Sequence, residues 1–303
     1  MKLLLFGARG RVGWELRRAL APFGKVIAVD RGSVAHGADF TRPADVAATI
    51  RALRPQVVVN AAAFTDMDAA EGDDADRAHR VNAEAPAAIA GEVARLDGWL
   101  VHFSTDCVFD GSGDAPRDER APTAPLSVYG RTKLAGEQAI AASGCRHLVL
   151  RTSWVFAARG ENFATAILAQ ARGHGRLRVV DDQVGAPTGA ELLADATAHA
   201  LRAALSKPEV SGLYHVTSGG QTSRHGYAEQ VLELARARGF DVKVPHGGIE
   251  AIATPAYPTA APRPLNSRLD TRRFRDTFGL HLPDWRVGVE RLMDELAERG
   301  SIA

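Results

Sequence analysis

Three features of the sequence predict an α/β protein: a doubly wound parallel sheet followed by a smaller C-terminal α/β lobe for substrate. Short aliphatic runs alternate with longer helical stretches through the first half of the chain, the pattern of βαβ units. These runs are apolar almost throughout, as in strands covered by helices on both faces. A glycine-rich turn follows the first run, where such a sheet opens toward a ligand.

In chain order, strands are expected at 2–6, 25–30, 56–60, 99–104 and 147–151, with helices at 12–20, 44–53, 75–96 and 129–142 between them. Beyond Arg151 the pattern loosens. Helices are expected at 163–171, 191–205 and 227–238, and strands at 177–180 and 213–216. The stretch from Pro245 to Pro264 reads as irregular and suited to wrapping a ligand. This division makes residues 1–152 a nucleotide-binding domain and 153–303 mainly a substrate lobe, with segments around 189–217 returning to the first domain.

Composition narrows the function. A chain of 303 residues, 46% hydrophobic and 24% charged, can bury a sizeable core. Its 37 basic and 36 acidic residues leave a formal charge of +1, no basis for general binding to nucleic acid or a membrane surface. The expected partner is a small molecule. Cys107 and Cys145 are too few for a disulfide framework and form no CxxC pair, so a reducing cytoplasm is the expected setting. The N-terminal apolar run meets Gly7 too soon for a signal-peptide core, and no run approaches the roughly 18 apolar residues of a membrane helix. The histidines show no HxxxH or HxH spacing, which argues against a catalytic zinc, and His102 reads as a core histidine. The acidic tract from Glu71 to Asp76 reads as an exposed helix start.

The glycine-rich turn is Gly7-Ala8-Arg9-Gly10-Arg11-Val12-Gly13, spaced GxxGxxG, and it opens a helix carrying Val12, Leu16 and Leu20. Glycines let the backbone turn sharply and approach a pyrophosphate at the helix N-terminus. Asp30 ends the second strand, where a carboxylate accepts hydrogen bonds from the adenosine ribose. An acid there favours NADH by repelling a 2′-phosphate, while the adjacent Arg31 offsets that repulsion, so NADH and NADPH both stay open. Asp39 and Phe40 either flank the adenine or, for Phe40, belong to the core. Asn60-Ala61-Ala62-Ala63 offers small side chains where bulk would block a cofactor. Together these make the first domain Rossmann-like.

Ser104-Thr105-Asp106 closes a buried strand, and Tyr129 and Lys133 lie one turn apart on one face of the next helix. In that arrangement the ammonium lowers the phenol pKa and also holds a ribose hydroxyl. Tyr129 then donates a proton to a carbonyl oxygen receiving hydride, and Thr105 gives that oxygen a second hydrogen bond. YxxxK alone is common by chance. Here it follows a glycine-rich turn, an acid on strand two and a Ser/Thr strand end, in that order.

Several longer stretches carry a resemblance: GARGRVGWEL, NAAAFTDMDAAE, STDCVFDG, PLSVYGRTKLAGE, RTSWVF, DDQVGAPTGAELLAD, GLYHV and RPLNSRLD. Through them the chain resembles the extended short-chain dehydrogenases/reductases, and within these the dTDP-4-dehydrorhamnose reductase family, over nearly its whole length. The resemblance implies NAD(P)H-dependent reduction of the 4-keto group of dTDP-4-dehydro-L-rhamnose to dTDP-L-rhamnose, the last step before use in surface polysaccharide such as O-antigen. It implies Tyr129 as proton donor, Lys133 as ribose anchor and Thr105 as the carbonyl-binding hydroxyl. Gly10, Arg11, Val12, Asp30, Asp39, Phe40, Ala63, Phe64, Thr65 and Phe103 would line the cofactor, with Gly7 and Gly13 framing the turn. Thr105, Asp106 and Trp154 would meet the sugar.

Cys107 departs from the family pattern, which places an aromatic residue after Thr-Asp. Nucleotide-sugar dehydratases resembling this fold carry a Glu there instead, so Cys107 speaks against dehydration. An epimerase or dehydratase on the same scaffold, and a non-catalytic regulatory subunit resembling that of methionine adenosyltransferase, are the competing readings. Trp154 either stacks on a sugar or packs in the core. Arg263 either pairs with the pyrophosphate or is solvated. The loop from Asp182 to Thr188 either contacts the nucleotide or is a structural turn. The resemblance also implies a homodimer with Mg2+ at an acidic cluster, for which Glu15, Glu191 and Glu295 are the candidates, although sequence spacing does not bring them together.

Overall fold

The computed structural model describes residues 1–33 and 36–300. The first half comprises β1 (Lys2–Phe6), α1 (Arg11–Ala19), β2 (Lys25–Val29), α2 (Pro43–Leu53), β3 (Val57–Asn60), α3 (Met67–Ala70), α4 (Ala75–His79), α5 (Ala85–Arg95), β4 (Trp99–Thr105), α6 (Val128–Ala142) and β5 (Arg146–Thr152). The second half comprises β6 (Val155–Phe156), α7 (Phe163–Gly173), β7 (Leu177–Val180), β8 (Val184–Gly185), β9 (Thr188–Gly189), α8 (Ala190–Ser206), β10 (Gly212–His215), β11 (Thr222–Ser223), α9 (Arg224–Ala237), β12 (Ile249–Ile252), α10 (Arg272–Phe278) and α11 (Trp285–Glu298).

Six strands form one parallel sheet in the order β10-β5-β4-β3-β1-β2. Alternate residues of each strand serve opposite faces. Leu3, Leu5, Val57 and Val59 pack with Leu16 of α1 and Leu193 of α8, while Leu4, Phe6 and Val58 pack with Val46 of α2, Ile89 of α5 and Ile140 of α6. Every central strand is therefore buried on both sides, which is why its sequence is continuously apolar. The chain leaves β1 for β2 on one side and returns through β3 to the other. This reversal of strand order opens a crevice at the C-terminal ends of β1 and β3.

Arg151 on β5 is the last residue of the periodic first half, but the sheet does not stop there. β10 pairs with β5 in register Leu213↔Val149, and α8 covers the same face as α1. A second core joins α7, β7, α9 and α11 through Leu168, Val179, Val231 and Met293.

Three departures from the sequence reading have physical causes. The helix expected at 75–96 is interrupted by a π-helical turn, Arg80–Glu84, before Pro86, so α4 and α5 are offset by an extra residue. The stretch 245–264 is not wholly irregular, because β12 pairs with β7 in parallel and Asp182 accepts from the Thr254 N–H and hydroxyl. Two further helices, α10 and α11, were not among the expected elements. The buried stripe of α11, Trp285, Val289, Leu292 and Leu296, has helical spacing that the sequence itself displays.

Candidate active site

The cofactor crevice starts with Gly7, at φ 76°, a left-handed conformation that glycine adopts without strain. A Cβ there would lie 2.6 Å from the Ala62 amide nitrogen, and one at Gly13 would lie 2.0 Å from the Gly7 carbonyl oxygen. The turn, the alanines ending β3 and the start of α1 are thus packed backbone to backbone, leaving the N-terminus of α1 open. Gly7, Gly10, Asp30, Asp39, Phe40, Ala63 and Phe64 line a cavity of about 310 Å³, together with Arg31. Phe40 does double duty. It is 5% exposed and meets Phe6 edge to face at 5.3 Å, so it belongs to the core while showing an edge to the cavity. Asp30 is paired with Arg9 at 2.9 Å and caps the Gly32 N–H, so two arginines, Arg9 and Arg31, stand by its carboxylate side of the crevice.

A second cavity of about 410 Å³ continues the crevice past Arg11, Val12, Thr65, Phe103, Tyr129 and Lys133. Its outer wall is a segment the sequence reading did not single out: Arg159 stacks 3.8 Å above Trp14, and the Arg11 guanidinium donates to the Glu161 carbonyl. Two hydroxyls on this wall, Ser104 Oγ and Thr152 Oγ1, are buried without a hydrogen-bond partner. The glycine cradle and these two free hydroxyls fit a nicotinamide dinucleotide.

A third cavity of about 450 Å³ opens beyond Thr105 and Tyr129 and is lined by Asp106, Cys107, Trp154, Gln183, Arg224, Arg263 and Ser267. It shares Arg11, Thr65, Ser104, Tyr129, Thr152 and Val155 with the second. Trp154 is held at φ 48°, an unusual value for a bulky side chain. The Arg224 guanidinium lies 3.7 Å over its ring, and a Cβ on Gly185 would come within 2.9 Å of it. Trp154 is therefore a clamped wall of the cavity. Burial pulls the Arg224 pKa down to about 10, opposed by Asp106. Arg263 is half-freed: one nitrogen binds Asp68 at 2.6 Å, while its other terminal nitrogen is buried without a partner. Gln183 instead ties to Thr254 and braces the 245–264 segment.

Helix α6 is anchored on all sides. Ser127 caps the Gly130 N–H, and Glu71 accepts from the Val128 N–H at 2.6 Å, so the acidic tract read as an exposed helix start supplies a cap for this helix. Glu137, two turns beyond Tyr129, holds Arg151 through two hydrogen bonds of 2.9 and 2.6 Å in the interior. The Lys133 amine donates to the Phe103 carbonyl at 2.6 Å and lies 3.2 Å from His102 Nε2.

That placement corrects one expectation about the pair. The Tyr129 phenol is pushed up, not down: burial dominates, the Cys107 and Asp106 charges add to it, and Thr105 and Arg11 oppose it. Lys133, tied to β4, is itself pulled down to about 8 by burial, with Glu137 opposing. Tyr129 is thus a neutral phenol near neutrality. Thr105 accepts from the Cys107 N–H and donates to Asp106 at 3.0 Å, and burial raises the Asp106 pKa against hydrogen bonds from Ser267 and Thr105. Burial likewise pushes the Cys107 thiol up, which keeps it protonated.

Glu15, Glu191 and Glu295 come closer together than their spacing suggested. Burial raises the Glu191 pKa, and the charges of Glu15 and Glu295 raise it further. Among the described residues, however, no three acidic, histidine or cysteine side chains converge closely enough to hold a metal ion. Arg224 and Arg159 carry no local signal, because each enters the site from a distant segment, whereas Asp68 and Ser267 lie within stretches that carry the resemblance without being singled out in them.

The family described as RmlD substrate binding domain matches residues 1–298. A relative from Shigella flexneri, dTDP-4-dehydrorhamnose reductase, is 51% identical over 98% of each chain. Among solved structures, a dTDP-4-dehydrorhamnose reductase of Clostridium acetobutylicum aligns with TM-score 0.87 and 30% identity, covering 98% of this chain and 99% of that one. Another from Bacillus anthracis, in complex with NADP, aligns with TM-score 0.85 and 28% identity over 97% and 99%.

Proposed function

The chain belongs to the RmlD substrate binding domain family, and from that premise we propose that it reduces the 4-keto group of dTDP-4-dehydro-L-rhamnose to give dTDP-L-rhamnose, with NAD(P)H as cofactor. One observation carries the reading: the dinucleotide groove and the second ligand cavity meet at Thr65, Ser104, Tyr129 and Thr152, so a carbonyl and a nicotinamide would face each other beside Tyr129.

The bound cofactor supplies a hydride to the carbonyl carbon. Tyr129, kept neutral by burial, gives its phenolic proton to the carbonyl oxygen as charge develops there. Thr105 holds that oxygen once its hydroxyl turns from Asp106 toward it. Lys133 anchors the nicotinamide ribose from the groove floor. Arg263, with its unpartnered nitrogen, takes a phosphate oxygen of the nucleotide, and Trp154 presents a ring face to the sugar. The protonated Cys107 is a poor acid/base for water loss, which favours reduction over dehydration.

Residues 1–152 with 189–217 form the cofactor half and the rest mainly the substrate half, a division supported by the pairing of β10 with β5. A homodimer sharing Mg2+ would bring Glu15, Glu191 and Glu295 together with their counterparts, a reading supported by the effect of the Glu15 and Glu295 charges on Glu191. No described helix is long and apolar enough to cross a membrane.

The test follows NAD(P)H absorbance with dTDP-4-dehydro-L-rhamnose. Wild type should oxidise the cofactor stoichiometrically, and Tyr129→Phe should lose on the order of 10²–10⁴ in kcat. No oxidation by wild type would sink the reductase reading.

A further inference from the structure

The substrate cavity holds an acid that the mechanism above does not use. Asp68 stands on α3, three residues beyond Thr65, and lines this cavity with Arg263. Its two oxygens grip one distant segment: Oδ1 accepts from the Ala261 N–H at 2.8 Å, and Oδ2 accepts from a terminal nitrogen of Arg263 at 2.6 Å. Asp182 pins the same segment at Thr254, so Arg263 belongs to a stretch of chain tied at both ends. The charge of Arg263 acts on the Cys107 thiol and on Arg224. Cys107 follows Thr105 and Asp106, so the phosphate that reaches Arg263 is the one joined to the sugar.

That phosphate differs between ligands. In a sugar nucleotide it is bonded on both sides and has a single negative charge. In a free nucleoside diphosphate it is terminal and carries about −1.5 to −2 near pH 7. A whole guanidinium, with its parallel N–H donors, suits the terminal group best. Arg263 does not offer a whole one. Asp68 occupies one terminal nitrogen, and the other, buried without a partner, is left for a ligand. Nor does the cavity hold a cationic excess: Arg11, Arg224 and Arg263 line it together with Asp66, Asp68 and Asp106, three formal charges against three.

We propose that Asp68 is a specificity-determining residue: by occupying half of the Arg263 guanidinium, it fits the site to the singly charged phosphate of a sugar nucleotide and turns away the terminal phosphate of a free nucleoside diphosphate. Two effects of the carboxylate can be told apart. As a brace for the 254–263 segment it acts alike on either ligand. As a negative charge beside the phosphate it acts in proportion to the charge of the ligand. The ratio of the two affinities therefore isolates the second effect, and selectivity of this kind comes from a repulsive element built into the site. Its consequence is a cavity that nucleotide lacking a sugar occupies poorly.

The inference rests on the reductase reading in placing a sugar nucleotide in this cavity, and its test needs no turnover. Calorimetry gives Kd for dTDP and for dTDP-glucose, which has no 4-keto group to reduce, at about pH 7.5 and one fixed ionic strength. In Asp68→Asn the ratio of the dTDP Kd to the dTDP-glucose Kd should fall about threefold to tenfold. Asp68→Ala should shift it the same way, and Asp68→Glu, which keeps the charge, should keep the wild-type ratio. An unchanged or raised ratio in Asp68→Asn would show only a brace and overturn the proposal. So would an Arg263→Gln variant that binds both ligands as wild type does, or a wild type that binds neither. Failed NAD(P)H oxidation by a wild type whose ratio still responds to Asp68→Asn would end the reductase reading alone.

Discussion

At the ends of β1 and β3 the site is made of what is missing: Gly7, Gly13 and the alanines after Asn60 let three backbone segments touch and leave the N-terminus of α1 bare. Across the groove, β4 and α6 work by what is present. Tyr129, Lys133 and Glu137 share one helix face, and their partners His102, Phe103 and Arg151 come from two strands beneath it. The cradle joins residues 7–13 to 61–63 and leaves no room for an added Cβ; the opposite, catalytic wall is held by side-chain bonds from α6 to β4 and β5.

Variants can break that contrast. The largest effect is expected on the catalytic wall: Glu137→Gln leaves the buried Arg151 charge poorly paired and should cost roughly 3–5 kcal/mol of stability, read as a fall in urea midpoint. A loss under about 1 kcal/mol would show that this wall is not held by its ion pair. Next comes the cradle, where Gly13→Ala sets a methyl 2.0 Å from the Gly7 oxygen. It should cost about 1–3 kcal/mol and weaken cofactor binding while calorimetric binding of dTDP survives. Equal loss of both ligands would mean the two regions are not separable. The smallest effect belongs to Arg224→Gln, which removes the guanidinium from the Trp154 ring; KM for the sugar nucleotide should rise about tenfold with cofactor affinity unchanged.

The same contrast explains what the sequence reveals. Gly7 to Gly13, Asp30 and the Tyr129/Lys133 pair are legible because each is a short pattern on one element with one geometric meaning. The strands of the sheet are legible for a similar reason, since burial on both faces leaves its mark on every residue. Arg224 is not, because only the folding of α9 against β8 and Trp154 brings its guanidinium into the cavity. Glu71 misleads in the same way: the six-residue tract from Glu71 to Asp76 looks solvated, yet one carboxylate reaches the start of α6. The direction of the Tyr129 shift is not legible in the sequence, because spacing places Lys133 one turn away but says nothing of the burial that pushes the phenol up. Phe40 packs on Phe6 in the core and also lines the cavity.

The π-helical turn at Arg80–Glu84 has a mechanical consequence. It carries Asn82, whose side chain binds both the N–H and the carbonyl of Phe64 in the cofactor loop and also Thr132 on the catalytic helix, while Gly136 lies against the Asn82 carbonyl. One surplus residue in a helix therefore works as a spacer: it sets how far the loop carrying Phe64 stands from the helix carrying Tyr129. Shortening that turn by a residue would leave each part intact and put them out of step, much as a misfitted shim does to two aligned shafts.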